Sequence, residues 1–103
     1  MTLREKRVEF TRCLAKLILF AVDMGLEVAI GQDGLKHMAG SLHYVGLAED
    51  LNLYRAGTYL TATEDHRPLG AYWKELHPLA RWGGDFKDGK DGNHYSFLHE
   101  GRC

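Results

Sequence analysis

The sequence predicts a single α+β domain over residues 1–103, with a long N-terminal helix and a second helix packed on a small antiparallel or mixed sheet. Three patterns carry this expectation. Residues 3–24 repeat apolar side chains at helical spacing, residues 47–54 alternate as a strand does, and glycine-rich segments cut the remainder into short pieces. A chain of 103 residues suits one compact domain, and it shows no internal repeat, linker or low-complexity tract.

In the first helix, Thr2 is placed to cap the start, and Phe10, Leu14, Leu17, Ile18 and Ala21 form the apolar face. Gly25 is placed to stop it. Leu26 to Ile30 reads as a short strand with β-branched Val28 and Ile30. Residues 31–41, with three glycines, read as a loop. In the strand that follows, Leu47, Glu49, Leu51 and Leu53 share one face, and Ala48, Asp50 and Asn52 the other. Arg55-Ala56-Gly57 signals a turn, with Thr58 to Leu60 returning as its hairpin partner. A second helix is expected from Thr63 or Pro68 to Leu76, with Thr63 as cap and Leu69, Tyr72, Trp73 and Leu76 inward. Residues 82–93 read as loop, and His94 to Leu98 as a closing strand.

Composition excludes several classes. A net charge of −1 gives no reason to expect a polyanion, so no nucleic-acid partner is expected. The basic residues Arg4, Lys6, Arg7, Arg12 and Lys16 are interleaved with Glu5 and Glu9, as on a solvated helix face. Leu17 to Val22 is too short to span a bilayer, and no secretory signal is visible. The chain is therefore expected in the bacterial cytoplasm, as a monomer without membrane contact, reaching any cell-wall substrate by another route. Cys13 and Cys103 make no disulfide framework: Cys13 is expected to be buried and Cys103 to fray.

Polar residues gather in three segments beside strand-like apolar ones: Ser41 to Asp50, Trp82 to Asp85, and Asp91 to His94. A catalytic zinc ion takes three protein ligands from imidazole and carboxylate groups and keeps one position open. His43, Asp50 and His94 supply such a set. Asp50 falls in mid-strand, where a buried carboxylate needs a partner that a cation provides. Asp91 is placed to accept a proton as general base, with Asp85 and Asp88 as nearby alternatives. Ser41 is a candidate to bind substrate or to hold its loop. His37, His66, His77 and His99 lack any motif context and read as structural or exposed.

Ser41-x-His43-x-x-Gly46-x-Ala48-x-Asp50 and Asp91-x-x-His94 resemble the two motifs of a zinc peptidase family. Its members include D-alanyl-D-alanine carboxypeptidases, dipeptidases and phage L-alanyl-D-glutamate endolysins. Trp82-Gly83-Gly84-Asp85-Phe86 is similar to the segment that leads into the family's second motif. The resemblance spans residues 3–99. It implies that His43, Asp50 and His94 hold Zn2+ and that Asp91 is the catalytic base. It also implies hydrolysis of the stem peptides of peptidoglycan, by a phage lysis endopeptidase or a D-Ala-D-Ala carboxypeptidase. The chain departs from the family in one place. Residues 31–38 lack the usual arginine, whose role is to stabilise a developing oxyanion, and Lys36, His37, Arg55 and Arg81 are the candidates to replace it. Without a replacement, the alternative is a zinc-stabilised module that binds cell wall or protein with little or no catalysis.

Overall fold

The computed structural model describes residues 1–31 and 40–103. The expected α+β domain is what forms: helix α1 (Leu3–Asp23), strands β1 (Glu27–Ile30), β2 (Ala48–Arg55) and β3 (Thr58–Leu60), helix α2 (Arg67–Leu76), then strands β4 (Ala80–Trp82) and β5 (His94–Phe97). Short 3-10 turns lie at Leu42–Val45, Thr63–His66 and Gly83–Asp85. The five strands form an antiparallel sheet in the order β1-β2-β5-β4, with β3 also pairing β2. β2 is the axis of the sheet. Along one edge it pairs β1, and along the other it pairs β5 through residues 48–50 and β3 through residues 53–55.

Thr2 caps α1 as a capping box: its hydroxyl accepts from the Glu5 N–H, and the Glu5 carboxylate accepts from the Thr2 N–H. Gly25 ends the helix region at φ +84, a conformation that glycine adopts without steric cost. Phe10, Cys13, Leu17 and Ala21 form the buried stripe, with Leu14 and Ile18 packed at its edge. α2 adds Leu69 and Trp73. The Phe10 ring meets Trp73 and Phe97 edge-on at 5.6 and 5.3 Å, a preferred aromatic geometry. Leu51, Leu53, Tyr95 and Phe97 line the sheet face beneath the helices, all with no exposure. The polar face of β2 is thereby turned away from the core.

Several local expectations are corrected. β4 lies in a stretch with no strand signal, because three residues are too few to show a period; it exists through its pairing with β5. Thr63 does not cap α2; its hydroxyl donates to the Gly89 carbonyl at 2.7 Å. Cys103 does not fray, because residues 99 and 102 exchange backbone hydrogen bonds and its own carbonyl is held by the sheet. On the solvated face of α1, Glu9 pairs with Arg12 at 3.8 Å, but Lys6 reaches the half-buried His99 ring at 2.8 Å. Glu49 is half-buried, and its carboxylate accepts the Asp50 N–H.

His66 is 3 % exposed, and its Nδ1 lies 2.7 Å from the Tyr95 hydroxyl. Burial pushes its pKa down to about 4. The unfolded chain protonates this residue below about pH 6.5, so between those values only the unfolded state carries the proton. Stability should be fully present above pH 6.5 and fall by ~3 kcal/mol as pH drops to 4. His66→Asn keeps an acceptor for Tyr95 and cannot titrate. Urea unfolding of both proteins across this range should show the loss in the wild type and its absence in the variant.

Candidate metal centre

His43 comes from the 3-10 turn after Ser41, whose hydroxyl accepts the His43 N–H at 3.3 Å and so caps the turn. Gly46 closes the turn in the left-handed region at φ +73, with the Arg7 guanidinium packed where a Cβ would project. Asp50 and His94 are direct cross-strand partners on β2 and β5, so their side chains leave the sheet on the same face. This is the face opposite the helices.

The three side chains converge. His43 Nε2 lies 3.5 Å from Asp50 Oδ1, and His94 Nδ1 lies 3.4 Å from the same oxygen. One donor atom from each residue falls within 4.8 Å of the others. Tetrahedral ligands at about 2.1 Å from a common ion stand ~3.4 Å apart, and both histidine–Asp50 separations match that spacing. The side chains are 12, 23 and 10 % exposed, which leaves one side of the group open.

Outer contacts orient the ligands. His94 Nε2 donates to the Cys103 carbonyl at 2.8 Å, leaving Nδ1 as the lone-pair nitrogen toward Asp50. The Ser96 hydroxyl donates to the same carbonyl at 2.9 Å. Burial alone would lower the His94 pKa, but Asp50, the Cys103 carbonyl and the Asp91 charge outweigh it, and the net shift is upward.

The sequence profile of the D-alanyl-D-alanine carboxypeptidase family matches residues 36–97, more than half of the chain. The chain belongs to that peptidase family. Its fold is similar to the crystal structure of the Serratia marcescens L-Ala D-Glu endopeptidase ChiX, with a TM-score of 0.63 at 20 % identity, covering 92 % of this chain and 85 % of that one. Among curated proteins, none matches significantly.

Within this family member, the Trp82-Gly83-Gly84 segment locks the turn that carries Asp91 and His94. The Trp82 indole N–H donates to the Gly92 carbonyl at 2.7 Å. Its ring occupies the space where Gly70 and Gly84 lack a Cβ. A Cβ on Gly83 would lie 1.9 Å from the Asp91 carbonyl oxygen and 2.8 Å from the His94 Cβ. Gly83→Ala must therefore displace the turn. It should cost ~1–3 kcal/mol of stability, the range for overpacking, as thermal melts would show.

Asp91 is exposed and lines an open cleft of about 630 Å³ with Phe86, Lys87 and Asp88. The Phe86 ring lies 5.4 Å from that of His94, so this cleft adjoins the metal centre. The alternatives to Asp91 separate here. The Asp85 carboxylate pairs with Lys74 at 2.8 Å, and that of Asp88 accepts the Lys90 N–H. Among the candidate cations, Arg81 donates to the Pro78 and Ala80 carbonyls, and exposed Arg55 sits at the β2–β3 turn. Lys36 and His37 lie outside the described residues. His77 stacks on Phe97 and accepts the Leu79 N–H, a structural role.

Proposed function

We propose that this protein is a zinc peptidase that hydrolyses the stem peptides of bacterial peptidoglycan, with His43, Asp50 and His94 as ligands and Asp91 as general base. The observation that carries the reading is the convergence of three donor atoms within 4.8 Å of one another beside a cleft lined by Asp91. When bound, zinc polarises the scissile carbonyl and lowers the pKa of water toward ~7. Asp91 takes the proton of the attacking water and delivers it to the leaving amine. Ser41 holds the His43 turn and stands near enough in sequence to touch substrate as well.

An endopeptidase cutting between L-alanine and D-glutamate suits a cleft open at the surface, which lets a peptide continue past the scissile bond. A D-Ala-D-Ala carboxypeptidase is the close alternative, supported by the family's description. The setting that fits best is phage lysis, with the enzyme made in the host cytoplasm and released to the wall. A zinc-stabilised module without catalysis is favoured by one observation, the engagement of Arg81 by its own strand. Mass spectrometry of peptidoglycan digested by the zinc-loaded protein, with and without chelator, decides. New amino termini at D-glutamate or release of terminal D-alanine are the expected products, and stoichiometric zinc with no cleavage would establish the binding module.

A further inference from the structure

A second, smaller pocket of about 130 Å³ lies where the end of β3, the turn before α2 and the turn before β5 meet. Gly92 and Asn93 form part of its wall, and these are the two residues between Asp91 and His94. The pocket therefore shares a turn with the proposed base and a metal ligand, although it is separate from the cleft beside Phe86.

The polar groups of this pocket are biased toward donors. Lys90 supplies the cation and Asn93 an amide, with the Thr61 hydroxyl beside them. No Asp or Glu is among the described residues that line it. Of the neighbouring acids, the Asp65 carboxylate accepts the N–H of Ala62, a residue of the pocket wall, and that of Glu64 is paired with Arg67. His66 contributes a further donor. The buried Tyr95 O–H needs an acceptor, which His66 Nδ1 provides at 2.7 Å. A neutral imidazole that accepts at Nδ1 carries its proton on Nε2, and His66 is one of the residues lining the pocket.

We propose that this pocket binds a carboxylate of the substrate, held by Lys90, Asn93 and the Nε2–H of His66, and so selects a stem peptide that carries a free acid. The volume corresponds to roughly four water molecules at ~30 Å³ each, enough for a carboxylate and its carbon stem but not for a ring or a whole residue pair. The inference rests on the peptidase reading for its substrate, but the carboxylate pocket is testable without catalysis.

Two arms test it. In the first, glutarate is titrated into isotope-labelled, zinc-loaded protein followed by NMR, and again into metal-free protein. Saturable shifts at the His66 ring and the Asn93 side chain in both forms are expected, and their loss in Lys90→Met. Acetamide at the same concentrations should leave both groups unmoved. Shifts confined to the zinc-loaded form would mean that glutarate binds the metal, and would overturn the pocket. In the second arm, stem peptides with the D-glutamate α-carboxylate free or amidated are compared. The wild type should favour the free acid by 10-fold or more in kcat/KM. Lys90→Met and His66→Asn should each reduce that preference, with the loss falling on the free-acid peptide more than on the amidated one. Equal cleavage of both peptides by the wild type would sink the inference and leave the peptidase standing. Absence of all cleavage with intact glutarate binding would do the reverse, removing the peptidase reading while the carboxylate pocket survived.

Discussion

Asp91→Asn should lower hydrolysis of peptidoglycan by 10²–10⁴-fold, the span that a positioned general base supplies, while zinc content stays at one per chain. The amide is close in size to the carboxylate and still hydrogen-bonds, but it cannot accept a proton at neutral pH. Asp91 is not among the three converging donors, and its backbone carbonyl, which accepts the His94 N–H at 3.0 Å, is untouched by the substitution. The turn should therefore persist. Initial rates on purified muropeptides, paired with metal analysis of the same sample, separate the two effects. Retained activity would move the base to Asp88, which lines the same cleft, ahead of Asp85, which is held by Lys74.

His43→Ala and His94→Ala should each lose both zinc and activity, and the wild type should lose both on treatment with chelator. Each removes one of three donors, and two ligands do not hold zinc against a competing chelator. Stability should follow. A ligand at 1,000 times its dissociation constant stabilises by ~4 kcal/mol. For a domain of this size that is on the order of 20 °C in Tm. Thermal melts should show the wild type falling by about that much when chelator is added, to near the melting point of His43→Ala, which chelator should not shift. Stoichiometric zinc in the double variant would refute the assigned ligands. His94→Ala also removes the donor to the Cys103 carbonyl, so it should melt somewhat below His43→Ala even without metal.

Much of this centre was legible before any coordinates. The alternation of residues 47–53 places Asp50 on the face away from Leu51 and Leu53, and the motif spacing brings in His43 and His94. The helix face of α1, its cap at Thr2, the stop at Gly25 and the β2–β3 turn follow from local pattern alone. What the pattern of Trp82-Gly83-Gly84 did not disclose was its purpose. Its glycines are empty where Asp91, His94 and the Trp82 ring need room, and those neighbours come from the turn before β5 and from the indole itself. His66 read as one more ordinary histidine, because nothing near it in sequence announces Tyr95, 29 residues away, as its partner.

The sequence by itself determined the α+β class, the long first helix and the polar face of β2, because helical and strand periods are local properties of the chain, and the family resemblance singled out the three residues whose donor atoms the structure brings together. Only the tertiary structure decided that β4 exists, that His94 offers Nδ1 because Nε2 is taken by Cys103, that Lys74 holds Asp85, and that His66 faces a donor-lined pocket. Each of these depends on a hydrogen bond, an ion pair or a packing contact between segments far apart in the chain. Such contacts are set by sheet register and helix docking, so no window of sequence around any one of these residues contains its partner.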